Sequence, residues 1–293
     1  MLEDHIGNDD VEFIDDVAYA KSVVAEEVFS SGYTILNADN TFTTEMLSRL
    51  YSKPALFSVN PVQNEILRSH ISKDGLAVTI ENNMVRVYYR SQSFDLLPIQ
   101  DVPLFFGGKA LFMSDAVLAV VAALIAGGVH PDKIRKYLTA FQPDFQHLPG
   151  RMNFYEKNAY SLLIDYAHNK PSFLALNTFL KHFNNNKIGV FDAPGDRSDE
   201  DLVELGVVAA GMFNEIVLYE GIDNRGRLTG EISTLIIKGL LSKQFSEDKI
   251  TVLQTHNDAL NYISGCLHSG NFIVLLTAVS DVAYNYFSKK HII

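Results

Sequence analysis

The sequence predicts an α/β protein with a doubly wound, mostly parallel sheet in its second half. The prediction depends first on short apolar runs that alternate with helical segments of about ten to fifteen residues. It depends also on how two of these runs end. LLID leads into YAHN, and GVFDA leads into a Gly-Asp-Arg turn before a helix. Ligand-binding groups occupy such positions in α/β domains, at the carboxyl ends of the strands.

The elements of the second half alternate regularly. The predicted strands are the apolar runs SLLID, KIGVFD, EIVLYE, ITVLQ and NFIVLLT. The predicted helices lie near residues 171–182, 199–212, 229–242, 256–265 and 279–289. Because crossovers between parallel strands are right-handed, these helices should cover both faces of the sheet.

The first half has a different pattern. A helix is predicted over 11–30, then a strand in GYTILNADN, a short helix over 43–51 and a strand at LFSV. LAVTIENNMVRVYY alternates with period two around Asn82-Asn83, which indicates a hairpin that FDLLPI extends. Two helices, over 114–127 and 131–141, lead to the segment FQPDFQHLPG. We place a domain boundary in this segment, near residue 147.

The composition is that of a globular protein, with 47% hydrophobic and 20% charged residues. The net charge of −11 disfavours general binding to nucleic acid or to an anionic membrane, so we expect neither partner. A single cysteine, Cys266, excludes an internal disulfide framework and suits a reducing cytosol, so we expect a cytoplasmic protein. The longest apolar run, over 116–128, is too short to span a bilayer.

Asp165 and His168 are the first candidates for ligand binding, because they follow directly on an apolar strand. The Asp165 carboxylate could accept two hydroxyl hydrogen bonds, as from a ribose, and His168 could donate to a phosphate. In the structural alternative, Asp165 caps the following helix and His168 packs locally. The spacing of the two residues does not decide between these hypotheses.

Four arginines are candidates for binding anions. Arg151 follows LPG at the predicted boundary, where it would clamp an anion between domains or form an interdomain salt bridge. Arg197 lies at the start of a helix, where backbone amides favour phosphate. Arg225 and Arg227 belong to the charged loop DNRGR, which would bind an anionic or zwitterionic substrate or remain a solvated loop.

The beginning of the chain offers a weaker metal-binding pattern. Glu3, Asp4 and His5 are adjacent and could bind a divalent metal, although such a trio is common by chance. The sequence contains no G-x-x-x-x-G-K-[ST] phosphate loop, Cys/His metal cluster or G-x-S-x-G nucleophile turn. The residues therefore indicate nucleotide chemistry without a phosphate loop of the chain's own.

Together these motifs resemble the Mur ligase superfamily, and most closely the Mur-ligase-like module of cyanophycin synthetase. LPGRMN, DYAHNKP and PGDRSDEDL look like that family's PGRMN, DYAHNP and GDRRDEDL signatures, and DNRGRLTGE is similar to its RGRPRGE region. DHIG, Lys21, GYTILNADN and FFGGKA resemble the latter part of the family's ATPase domain. The chain departs from the family at Met113 and Ala116, where asparagines are common, and at Lys170, which interrupts the usual Asn-Pro.

The resemblance implies a fold and a set of site residues. Residues 1–147 would be the latter part of a truncated Mur-ligase central ATPase domain, and 148–293 a Rossmann-like C-terminal domain. His5 would help to hold Mg²⁺, and Lys21 would help to position a second metal. The implied nucleotide contacts are Arg151, Asp165, His168 and Asn169, with His168 at the phosphates. The implied substrate contacts are Arg197, Arg225 and Arg227.

The implied activity is that of an ATP-dependent acid–amino-acid ligase. The β-carboxylate of a polymer aspartate would be activated as an acyl phosphate, and the α-amine of arginine would attack it. The expected substrates are arginine and an aspartate-rich peptide polymer, the expected cofactors are ATP and Mg²⁺, and the resemblance suggests a homo-oligomer. Because the phosphate loop is absent, we expect an inactive fragment of a longer synthetase. Two alternatives stay open: a peptidoglycan- or folylpolyglutamate-type ligase fragment, and a naturally truncated, non-catalytic protein that binds a nucleotide or a partner.

Overall fold

The computed structural model of the chain describes residues 12–157, 159–221, 224–268 and 270–293. The chain divides into two compact units, Met1–Gln142 and Pro143–Ile293. Each unit has its own sheet and its own hydrophobic core. The division falls inside FQPDFQHLPG, a little before residue 147. The predicted α/β class is confirmed.

The first unit contains a five-stranded sheet with the order β1-β2-β3-β4-β5. Its strands are β1 (Tyr33–Asn37), β2 (Lys53–Ser58), β3 (Leu76–Glu81), β4 (Met84–Tyr89) and β5 (Gln92–Pro98). Strands β1 to β3 are parallel, and β3 to β5 form an antiparallel meander. Asn82 and Asn83 have positive φ values of 51° and 61°. They form the tight hairpin turn that the sequence predicts, because asparagine tolerates this conformation better than most residues.

Helices cover both faces of this sheet. They are α1 (Ile14–Glu26), α2 (Thr41–Glu45), α3 (Glu65–Ser72), α4 (Ser114–Ala126) and α5 (Pro131–Ala140). On one face, Leu118 and Val121 of α4 join the core around Val78. On the other face, Leu67 of α3 packs with Leu36. None of the helices in the described residues is both long and apolar enough to cross a membrane.

The second unit contains a six-stranded sheet with the order β10-β9-β8-β11-β7-β6. Its strands are β6 (Asn153–Glu156), β7 (Tyr160–Asp165), β8 (Asn186–Phe191), β9 (Glu215–Tyr219), β10 (Ile250–Leu253) and β11 (Asn271–Leu276). All neighbouring strands are parallel except β6, which pairs antiparallel with β7. The five parallel strands are those that the sequence predicts, and β6 is an addition at the edge.

Helices also lie on both faces of the second sheet, which confirms the doubly wound arrangement. They are α6 (Lys170–Leu180), α7 (Asp199–Ala210), α8 (Glu231–Ser242), α9 (His256–Cys266) and α10 (Ser280–Lys289). Phe173 of α6 meets Phe191 of β8 edge to face, with 5.3 Å between ring centroids. Leu260 of α9 and Phe287 of α10 pack in the core with Val217.

Helices α7 and α8 approach each other closely through two glycines. A Cβ atom at Gly206 would lie 2.1 Å from the carbonyl oxygen of Ile236, and one at Gly239 would lie 2.0 Å from that of Val203. Such distances are far below van der Waals contact, so only glycine permits this packing. The contact fixes the middle of α7 against the second half of α8.

Candidate functional site

A cavity of about 200 Å³ lies in the second unit, where β7, β8, β9 and β11 end. The strand register creates it, because Leu276 is level with Asp165 and with Phe191, and Phe191 is level with Leu218. The residues that follow these positions therefore meet at one edge of the sheet. The polar side chains that line the cavity are His168, Asp192, Tyr219, Arg225, His256 and Thr277.

The inner wall of the cavity is polar and mostly buried. The Tyr219 hydroxyl donates to the carbonyl oxygen of Leu276 over 3.3 Å, and Thr277 Oγ1 lies 3.3 Å from His256 Nε2. Burial raises the pKa of Tyr219 well above its ordinary value and lowers the pKa of His256. Both side chains are therefore uncharged at neutral pH.

Asp192 carries the charge of this wall. Burial raises the pKa of the Asp192 carboxyl, and a hydrogen bond from Tyr219 acts in the opposite direction. The neighbouring carboxylate of Glu220 also raises it. The wall therefore favours a cation as the ligand of Asp192, because a cation would relieve the cost of burying this carboxylate.

A cation and two rings are in contact at the cavity: Tyr166 and His168 follow β7 and line the cavity, and Arg151 precedes β6. The Arg151 guanidinium lies 4.6 Å from the ring centroid of Tyr166, and the Tyr166 and His168 rings are 4.6 Å apart. His168 Nδ1 lies 2.8 Å from the carbonyl oxygen of Tyr166. Because a carbonyl can only accept, Nδ1 donates, and Nε2 is then the acceptor atom of the neutral ring.

Asp165 binds backbone amides. Its Oδ2 accepts from the amide of Met152 over 2.7 Å, and its Oδ1 accepts from the amide of Ala167 over 2.7 Å. Burial raises the pKa of the Asp165 carboxyl, and these two amides partly offset that effect. Asn169, not Asp165, caps α6, since its side chain accepts from the amide of Ser172 over 3.0 Å. Asp165 thus joins the Arg151 loop to the end of β7.

The two predicted substrate arginines of the DNRGR loop have different environments. Arg225 lines the cavity, adopts a positive φ of 47° and forms an ion pair with Asp196; its side chain is 51% exposed. Arg227 is only 15% exposed. Its Nε donates to the carbonyl oxygen of Gly195 over 2.9 Å, and its Nη2 donates to that of Arg197 over 2.6 Å. Arg227 therefore joins the loop after β8 to the loop after β9.

The remaining predicted residues lie apart from this cavity or outside the described residues. Arg197 precedes Ser198, the N-cap of α7, and its carbonyl accepts from Arg227. Lys21 lies on the exposed side of α1 in the first unit. His5, Glu3 and Asp4 lie outside the described residues, as does Asp223. Within the part of the chain that the structure describes, no three His, Cys, Asp or Glu side chains form a metal-binding group.

The structure adds Asp192, Tyr219, His256 and Thr277 to the residues predicted from the sequence. A signal for three of them was present, because FD, LY and LT each end an apolar run that becomes a parallel strand. Applying the strand-end rule to every predicted strand would have found them.

Comparisons with known proteins agree with this architecture. No protein-family model matches the chain. Cyanophycin synthetase from Crocosphaera subtropica is 36% identical over 275 residues, which cover 94% of this chain and 31% of that protein. Cyanophycin synthetase from Synechocystis is 38% identical over 243 residues, or 83% of this chain and 28% of that protein. The chain therefore spans about a third of the length of these relatives.

Solved structures show the same fold at low sequence identity. Folylpolyglutamate synthase from Mycobacterium tuberculosis, complexed with ADP and AMPPCP, matches with a TM-score of 0.64 and 16% identity, over 96% of this chain and 60% of that one. A D-alanyl-D-alanyl-adding peptide ligase from Acinetobacter baumannii matches with a TM-score of 0.61 and 17% identity, over 94% of this chain and 55% of that one. The resemblance to Mur ligases, and to cyanophycin synthetases in particular, is confirmed.

Proposed function

We propose that this chain supplies the acceptor side of an ATP-dependent amide ligase of the cyanophycin synthetase type. The observation that carries the proposal is the cavity at the strand ends of the second unit, with the Arg151–Tyr166–His168 stack beside it and Arg225 on its wall. The 36% identity to a cyanophycin synthetase over 94% of the chain supports the same reaction class.

In the proposed reaction, a carboxylate oxygen of an aspartate-rich polymer bonds to the terminal phosphorus of ATP, the bond from that phosphorus to the bridging oxygen breaks, and ADP leaves with the electron pair. The α-amine of arginine then attacks the acyl carbon, a C–N bond forms, and the C–O bond to phosphate breaks. The amine loses a proton, and phosphate leaves with the electron pair of the broken bond. Catalysis of this kind depends mainly on positioning and on neutralising charge.

The proposed nucleotide contacts lie on the loops around the end of β7. Arg151 is held over Tyr166, so its guanidinium is oriented before a phosphate arrives. His168 would contact the phosphates by donating from Nε2 of the protonated ring, because phosphate oxygens only accept and Nδ1 already donates to Tyr166. Asp165 and Asn169 would act near the ribose, although each already holds backbone amides. Mg²⁺ would neutralise the phosphates, and for it we propose His5, with Lys21 as a positioning residue.

The proposed acceptor contacts lie on the other loops. Arg225 faces the cavity and would bind the carboxylate of the incoming amino acid. Arg197 and Arg227 would shape the same site from the junction of the two loops. The first unit would be the latter part of the ATPase domain. We expect no steady turnover from these 293 residues alone, because their sequence contains no phosphate loop.

Binding measurements test the proposal without requiring turnover. Amide chemical shifts of the ¹⁵N-labelled chain would be followed while Mg²⁺ and the ATP analogue AMPPNP are added. We expect shifts at Arg151 and at 165–169, and we expect Arg151→Ala to weaken them. Arg135→Ala is a matched control, because Arg135 lies on α5 and binds Asp132 and the carbonyl oxygen of Leu96. The proposal fails if AMPPNP at millimolar concentration shifts no residue of these loops.

A further inference from the structure

The cavity contains an acidic group that the proposed nucleotide and carboxylate contacts do not use. Asp192 is the only acid among the described residues that line the cavity. It follows β8 directly, between the ends of β11 and β9. Its Oδ2 would lie 3.0 Å from a Cβ atom at position 221, so the glycine there leaves room beside this oxygen.

Asp192 differs from the acid that follows the next strand. Glu220 is 9% exposed, and both of its oxygens are engaged at the start of α8. Oε2 accepts from the amide of Gly230 over 3.1 Å, and Oε1 accepts from the Ser233 hydroxyl over 2.9 Å. Glu220 therefore has a structural role, as an anchor for the first turn of α8. Asp192 has no such helix to hold.

No cation is among the described groups that shift the pKa of the Asp192 carboxyl. Among described residues, the groups that shift the pKa of Asp192 are the Tyr219 hydroxyl, its own backbone amide and the Glu220 carboxylate. His256, on the same wall, is neutral at neutral pH because burial lowers its pKa. A carboxylate in such a place costs folding free energy unless a ligand compensates for its charge.

The cavity therefore presents two opposite charges to a small ligand. Arg225 supplies a guanidinium on the more exposed side, and Asp192 supplies a carboxylate on the buried wall. A basic amino acid has the complementary pattern, with a carboxylate at one end and a cation at the other. The cavity of about 200 Å³ has room for a side chain of this kind.

The geometry points to Asp192 as the group that recognises the cationic side chain of the acceptor amino acid, while Arg225 binds its carboxylate. This inference rests on the proposed function, since it assigns the specificity of the same acceptor site. A guanidinium suits the position best, because its planar N–H groups can bind both oxygens of a carboxylate.

Three ligands distinguish the contribution of Asp192 to binding from that of Arg225. L-arginine has both, L-citrulline has the same shape with a neutral ureido group, and agmatine keeps the guanidinium but lacks the carboxylate. Binding of each to the full chain would be measured by calorimetry or by amide chemical shifts. We expect the wild-type chain to bind L-arginine about tenfold or more tightly than L-citrulline, since the site holds a charged hydrogen-bonding group for the guanidinium.

Two variants assign the contacts. Asp192→Asn should remove the preference for L-arginine over L-citrulline, and Arg225→Gln should weaken both of these ligands but not agmatine. Glu200→Gln is the control for a change of one charge, because Glu200 is exposed in the first turn of α7. A melting temperature of Asp192→Asn at or above that of the wild-type chain would show that misfolding does not explain the first result.

The outcomes distinguish this inference from the proposed function. The assignment of Asp192 is overturned if Asp192→Asn still prefers L-arginine to L-citrulline, or if L-arginine does not bind at millimolar concentration. In either case, chemical-shift changes at Arg151 on addition of AMPPNP would still support the ligase proposal. If AMPPNP competes with L-arginine for the cavity, the assignment is also overturned, because the cavity then belongs to the nucleotide. If arginine binding depends on Asp192 but AMPPNP binds nowhere, the acceptor site stands and the nucleotide site fails.

Discussion

Arg227 offers the sharpest test of how the acceptor loops are held. Replacing it with methionine keeps much of the aliphatic chain and removes the guanidinium. The carbonyl oxygens of Gly195 and Arg197 would each lose a donor. Arg227 Nη1 also lies 2.7 Å from Asp199 Oδ1 and 2.5 Å from Glu231 Oε1, and both contacts would be lost.

The expected loss of stability follows from these contacts. A hydrogen bond from a charged donor contributes about 1.5–3 kcal/mol, so the two carbonyl contacts are worth about 3–6 kcal/mol before relaxation. Asp199 and Glu231 are 61% and 38% exposed, so each ion pair adds only about 0–1 kcal/mol. After the substitution, water can reach the loops and form hydrogen bonds that offset part of this loss of stability. We therefore expect Arg227→Met to lower the free energy of unfolding by about 2–4 kcal/mol.

Equilibrium unfolding in urea measures the difference in the free energy of unfolding between Arg227→Met and the wild-type chain. Tyrosine fluorescence or far-ultraviolet circular dichroism supplies the signal. Arg225→Met is the matched control, since it removes the same group from the same loop at a side chain that is 51% exposed. Its ion pair with Asp196 should contribute no more than about 1 kcal/mol. Equal losses in the two variants, or a loss below about 1 kcal/mol for Arg227→Met, would refute the idea that Arg227 joins the loops.

Two further predictions concern packing and pH. Gly206→Ala should destabilise the chain by about 1–3 kcal/mol or more, because its Cβ would overlap the carbonyl of Ile236. Gly265→Ala in α9, where a Cβ meets nothing within 4 Å, should instead stabilise it by about 0.5–1 kcal/mol in the same urea titration. Asp192→Asn should raise the melting temperature at pH 7, since the raised pKa of Asp192 means that ionisation disfavours the folded state. This gain in melting temperature should be absent below about pH 4, where the carboxyl is protonated in the folded and the unfolded state. It should grow as the pH rises through the raised pKa of Asp192. A gain that does not depend on pH would contradict this prediction.

The sequence predicts the parallel core of the second unit well, because the long apolar runs of β7, β8, β9 and β11 allow few alternatives. It does not reveal β6, whose four residues NFYE have no strand pattern of their own. That strand exists because it pairs antiparallel with β7. Tertiary contacts therefore determine β6. Helix α3 was also missed, although EILRSHIS is amphipathic and Asn64 caps its first turn; the helix has only eight residues and buries only Leu67.

The sequence predicts residues on the loops that border the cavity, but it is less informative about which side chain of each loop faces the cavity. Arg225 and Arg227 look equivalent in DNRGR, yet the left-handed backbone at Arg225 leaves only that residue on the cavity wall. Asp165 was a natural candidate because it ends a strand, but its oxygens hold the amides of Met152 and Ala167. Asp192 follows β8, the next strand along the chain, and lines the cavity. The direction of a loop side chain depends on packing that spacing does not contain.

The glycine contact between α7 and α8 has a consequence for how the acceptor loops can move. Each loop leads directly into one of these helices, and the helices touch backbone to backbone at Gly206 and Gly239. A ligand at Arg225 that shifts α8 would therefore also have to shift α7, because the two backbones are in contact. The cavity should then adjust to ligands of different length at its opposite wall. There, Thr277 lies just before α10, and His256 is the first residue of α9.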